Sequence, residues 1–251
     1  MPTIEGAGVP LHYEEHAPDP GAIPVDRTAV LVHGLASDAR RHAPAAAALA
    51  AAGLRVVAYD RRGYGESGAP QPYTATTVDE QAHDLEVLIA ALGDPAPVLL
   101  VGDGFGALVA LDLVLRRPAL VHGAVLSDIP LFAFVPAANE LLSRERVAIE
   151  EALREGGPGA AVAAWLDGRV DGEALARAQR AATGFFADYA GLASLEVTRR
   201  QLREIATPIA VVTGPHSPPP FQEAADRLAE LVPDARRAHD GEVVALARLL
   251  A

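Results

Sequence analysis

Short, uninterrupted apolar runs separated by helix-length segments constrain this chain more than any other feature. Thr28-Ala29-Val30-Leu31-Val32, Arg55-Val56-Val57-Ala58-Tyr59, Val98-Leu99-Leu100-Val101 and Ile209-Ala210-Val211-Val212 lack the alternation of a half-exposed strand. Such runs mark strands covered on both faces, as in a parallel sheet packed between helices. Residues 122–126 read as one more strand, and residues 11–15 as an antiparallel edge strand. Residues 43–52 form a helix stopped by Gly53, and Val78, Ala82, Leu85, Leu88, Ile89 and Leu92 lie on one helical stripe ended by Gly93. The order predicts an α/β fold with a mostly parallel, doubly wound sheet. Residues 131–205 break the alternation. They are helix-rich, hold most of the aromatics, and read as a helical cap inserted after the strand ending near residue 128, with 1–130 and 206–251 as the core.

With 251 residues, half of them apolar, the chain is long enough for one substantial core. The net charge of −12, from 21 basic and 33 acidic residues, opposes encounter with a phosphate backbone or an anionic membrane surface. Nucleic acid and membrane are therefore not expected partners, and a small molecule is. No cysteine is present, which excludes disulfides and thiolate metal sites. The histidines show no metal-ligand spacing, so no metal is expected. The first residues, Met1-Pro2-Thr3-Ile4-Glu5, carry neither a basic nor an apolar leader region, and the expectation is cytoplasmic. The sequence carries no signal of oligomeric state.

The chemistry is concentrated where the run at residues 98–101 meets Gly102-Asp103-Gly104-Phe105-Gly106 and then a helix-forming stretch. This strand, sharp turn and helix resembles the nucleophile elbow of the α/β-hydrolase superfamily, whose turn reads G-x-S-x-G. Two further segments carry the resemblance. Leu31-Val32-His33-Gly34-Leu35 is similar to the segment whose backbone helps bind an oxyanion, and Asp60-Arg61-Arg62-Gly63-Tyr64-Gly65-Glu66-Ser67 to a D-x-R-G-x-G-x-S loop of the esterase, epoxide-hydrolase and haloperoxidase-like branches. The resemblance covers nearly the whole chain and implies the α/β-hydrolase fold. It also marks departures. Gly104 stands where the family places its nucleophile, and Gly214-Pro215-His216-Ser217-Pro218 puts Ser217 where a triad aspartate is expected. The triad histidine is matched by His239.

Glycine has no side chain to attack a carbonyl, so no acyl-enzyme forms at position 104. The backbone donors that the resemblance assigns, the N–H groups of Leu35 after Gly34 and of Phe105 after Gly104, are unaffected by that residue type. His239 is then the acid-base candidate, Asp128 at the end of its strand a substitute partner for it, and Asp103 either a scaffold residue or a base beside the turn. His33 reads as structural and His42 as lining a pocket. No dinucleotide fingerprint opens the first strand-helix unit, and no cofactor is expected. The leading expectation is cofactor-free, non-covalent acid-base chemistry on a small apolar carbonyl compound, of the lyase, decarboxylase, isomerase or cyclase type, with bacterial secondary metabolism as a setting. Two alternatives stand beside it: a catalytically silent ligand-binding protein, and a hydrolase using Asp103 or a water activated by His239.

Overall fold

A computed structural model describes residues 2–93 and 97–250. The apolar runs become β3 (Thr28–Val32), β4 (Arg55–Tyr59), β5 (Val98–Asp103), β6 (Val121–Ser127) and β7 (Ile209–Thr213), joined by β1 (Thr3–Glu5), β2 (Pro10–His16) and β8 (Arg236–His239). They form an eight-stranded sheet in the order β1-β2-β4-β3-β5-β6-β7-β8. Strands β3 to β8 are parallel, while β1 and β2 are antiparallel to their neighbours. This places residues 11–15 differently from the expectation. Three residues of β1 pair outside β2, so β2 is an inner strand and the edge is shorter than the pattern suggested.

All five residues of β3 and of β7 are buried, as two-sided coverage requires. One face carries α1 (Ala43–Ala51) and α9 (Val243–Leu250); the other carries α2 (Val78–Ala91), α3 (Phe105–Arg116) and α8 (Pro219–Leu231). The chain winds from β3 toward β4 on one side and reaches β5 on the other. The C-terminal ends of β3 and β5 therefore flank the point where the winding reverses, the usual crevice for a ligand in open α/β sheets.

Four helices lie between β6 and β7: α4 (Ala138–Leu166, broken at Gly157-Pro158), α5 (Gly172–Arg180), α6 (Ala182–Gly191) and α7 (Arg199–Arg203). Helices α4 to α6 bury a small core of their own, with Ile149, Val162, Leu166 and Phe185. Leu202 and Ile205 instead join the main core beneath the sheet, as do Phe132 and Phe134 at its margin. The aromatics of this insertion thus serve two cores.

A buried polar network joins the insertion to the sheet. Asp188 on α6 is fully buried and accepts from Arg61 (2.7 Å), Tyr64 (2.9 Å) and Gln81 (2.5 Å). Burial alone would lower the Arg61 pKa, but the charge and hydrogen bond of Asp188, together with Tyr64 and Tyr59, outweigh it and keep the guanidinium protonated. Removing one partner of such a pair strands the other charge in a dry interior. Asp188→Ala is expected to cost about 3–5 kcal/mol of stability in urea unfolding. A loss below about 1 kcal/mol would show that the network does not join cap to core.

Candidate active site

Gly104 forms the apex between β5 and α3 with φ 53° and ψ −119°. An L side chain is strained in this region, whereas glycine is not. Gly106, two residues further, lies so close to β3 that a Cβ there would meet the Val32 carbonyl oxygen at 2.1 Å. That contact draws the start of α3 against the sheet and sharpens the turn. Beyond its chain neighbours, a Cβ on Gly104 would meet among the described residues only Gly34 Cα, at 3.7 Å, an ordinary contact that leaves room above the turn.

The turn after β3 is held from below. The Gly34 carbonyl accepts from His33 Nδ1 and from Arg61, both at 2.8 Å, and Arg61 also donates to the His33 carbonyl. In a trans peptide, carbonyl and N–H point in opposite directions. Tying the Gly34 carbonyl to these side chains therefore turns the Leu35 N–H away from them. The Phe105 N–H heads α3 and has no intrahelical acceptor. The Arg61 guanidinium lies 5.0 Å from the Phe105 ring centroid, so one cation braces both turns. His33 accepts from the Arg61 N–H through Nε2 and is enclosed, a structural role as expected. Burial, helped by Arg61, holds its pKa well below the usual value.

Asp103 immediately precedes the apex. Its carboxylate has no hydrogen-bond partner among the described residues, and its Oδ2 lies 3.6 Å from where a Cβ of Gly34 would stand. Desolvation raises its pKa, while the charges of Arg41, Arg169 and Arg61 pull it down. Arg169 descends from the insertion. It is stacked over Trp165 at 4.4 Å and bonded to the Leu166 carbonyl at 2.8 Å, with Asp103, Asp128 and Glu145 among the charges acting on it. Glu145 on α4 is also pushed up by burial. Neither Arg169 nor Glu145 was singled out in the sequence, because the insertion has no motif to mark them. His42 is buried, its pKa lowered to about 4 by desolvation and by Arg41, and its Nε2 has no partner among the described residues.

Asp128 and Ser217 come together. Asp128, with φ 45°, follows β6, and its Oδ1 accepts from Ser217 Oγ at 2.5 Å; the Gly214 N–H in turn donates to Ser217 Oγ at 2.8 Å. Ser217 thus anchors Asp128 rather than standing as an independent triad member. His239 is the last residue of β8, pairs with Thr213 in register, and is exposed. Two strands, β6 and β7, lie between β8 and β5, so these strands are about 14 Å apart at the usual interstrand spacing. Among the described residues, no group of His, Asp and Glu could hold a metal. No helix among them is long and apolar enough to cross a membrane.

A mostly parallel sheet with a sharp glycine-framed turn after β5, a clamped turn after β3 and a helical insertion after β6 defines the α/β-hydrolase class. Residues 24–165, more than half of the chain, match the family model described as serine aminopeptidase, S33, and the chain belongs to that family within the α/β-hydrolase superfamily. Over 118 residues it is 38% identical to a putative carbamate hydrolase, RutD, of Variovorax paradoxus, covering 47% of this chain and 42% of that protein. The chain thus spans less than half the length of that curated relative. Among solved structures it superposes on a carboxylesterase of the thaumarchaeon Nitrososphaera gargenis with TM-score 0.76 at 18% identity, covering 98% of this chain and 93% of the other. An enol-lactonase of Burkholderia xenovorans gives TM-score 0.65 at 21% identity, covering 99% and 98%. These structural likenesses show the fold.

Gly104→Ser tests the apex. The variant is expected to fold, since the Cβ meets no close neighbour, and to lose about 1–3 kcal/mol in urea unfolding from the strained backbone. With His239 exposed on β8, it is expected to show no burst of p-nitrophenol from p-nitrophenyl acetate. A burst would place His239 within reach of the apex.

Proposed function

We propose that this chain hydrolyses a small, neutral carboxylic acid derivative, an ester, lactone or carbamate, by direct attack of water and without an acyl-enzyme. The observation that carries the reading is the Asp103 carboxylate: unpartnered among the described residues, raised in pKa by burial, and adjacent to an apex with no side chain. Water takes the space that a hydroxyl on residue 104 would fill. Asp103 removes a proton as the water oxygen bonds to the carbonyl carbon. The resulting oxyanion is bound by the N–H groups of Leu35 and Phe105. Its collapse breaks the bond to the leaving oxygen or nitrogen, which takes the proton back from Asp103, and the acid and the alcohol or amine depart. Asp128, anchored by Ser217, and Arg169 set the charge around this space.

Proton transfer by His239, as lyase, decarboxylase, isomerase or cyclase chemistry would use it, is less favoured, because His239 stands exposed on β8. The names of the relatives also point to hydrolysis. The exposed histidine and the anchored Ser217 equally suit a silent ligand-binding protein, and removal of the carboxylate separates the two.

Asp103→Asn is expected to lower kcat on phenyl acetate, dihydrocoumarin or phenyl carbamate by about 10²–10⁴-fold. Wild-type kcat/KM is expected to fall as pH drops through a limb above the ordinary carboxylate value of about 3.9, because the base acts when ionised. Turnover unchanged in Asp103→Asn, or no turnover by the wild type, would overturn the proposal.

The same shift has a consequence for stability. A carboxyl whose pKa is raised on folding stabilises the protein below its unfolded value, and this contribution is lost as pH rises through the folded value. Asp103→Asn is therefore expected to gain stability relative to wild type at neutral pH, with the gain shrinking toward pH 3. A gain that grows on acidification would contradict the raised pKa.

A further inference from the structure

All 21 basic residues of the chain are arginines, and four of them meet at one cleft in a molecule of net charge −12. The cleft, about 370 Å³, opens between the turns after β3 and β4 on one side and α5 of the insertion on the other. Gly34, Leu35, Asp103 and Gly104 do not line it, although Arg41, which does, also acts electrostatically on Asp103. Its volume suits a small molecule.

The arginines differ in how firmly they are held. Arg177 is fixed by Asp38 at 2.6 Å in a partly buried pair. Arg40 faces Glu66 at 3.8 Å with both side chains about half exposed, and Arg180 pairs with Glu173 on the open surface. Such exposed pairs are weakly held in water, so their guanidinium groups are readily recruited by another anion. Arg41 has no ion pair with a described residue. The remaining acid of the lining, Asp60, is already occupied by His12 (2.9 Å) and by the N–H groups of Ala39 (2.8 Å) and Glu66 (2.9 Å). On the α5 wall, Ala174, Ala178 and Ala181 leave room between the arginines.

We propose that this cleft binds a small anion, a compound carrying a carboxylate or phosphate group, through Arg41 together with Arg40 and Arg180, against the wall fixed by Arg177. Planar guanidinium groups match both acids with paired N–H donors.

Isothermal titration at low ionic strength with inorganic phosphate, and separately with succinate, tests it. Saturable one-to-one binding of at least one anion is expected, and which of them binds names the ligand class. The Arg41→Gln/Arg180→Gln variant, changed only at exposed positions, is expected to bind at least about tenfold more weakly. Ala174→Leu, which narrows the cleft without changing charge, is also expected to weaken binding, whereas Arg200→Gln on α7 is not. Absence of saturable binding of both anions by the wild type, or equal weakening in Arg200→Gln, would overturn the proposal.

Discussion

One buried cation organises this molecule. Arg61 donates to the carbonyls of His33 and Gly34, to Gln81 on α2 and to Asp188 on α6, and lies against the ring of Phe105. It thereby links both turns at the reversal point of the sheet to the helical insertion. A fully buried guanidinium is costly unless every donor is matched and its charge compensated, so these partners are held together or lost together. The shape of the space above Gly104 follows from that constraint, since the turn that supplies Leu35 cannot relax without stranding the cation.

Because the clamp acts on backbone carbonyls, the identity of the residue at the apex is free to vary without dismantling the turn. Gly104 keeps the unusual backbone angles of a sharp strand-to-helix turn while presenting no side chain. Backbone donors survive such a substitution, and a side-chain nucleophile does not. The neighbouring Asp103 is the titratable group that the turn itself positions, whereas His239 ends β8, with β6 and β7 between that strand and β5. The proposed chemistry at this site is accordingly activation of water rather than covalent attack.

The architecture was legible because strands buried on both faces leave continuous apolar runs, and because glycines stand where backbones approach closely: β3 to β7 and the turn at Gly104 were readable in this way. The position of β2 was not. A three-residue edge strand has too little pattern to announce itself, so residues 11–15 looked like the edge. At the site, Gly104 and Ser217 were visible as residue types, but the pairing of Ser217 with Asp128 was not, since the two are 89 positions apart. Asp188, Glu145 and Arg169 left no trace. Their roles depend on how an insertion folds over the sheet, and helical sequences of this kind do not encode which polar side chains face inward.

The central claim, hydrolysis at an apex without a nucleophile, is tested most directly by intact-mass spectrometry. The protein would be sampled during turnover of p-nitrophenyl acetate and after exposure to a fluorophosphonate. Product accumulating while the protein keeps its unmodified mass is the predicted result. An acyl or phosphonyl adduct mapped to Ser217 or to any other hydroxyl, formed at the rate of turnover, would contradict it.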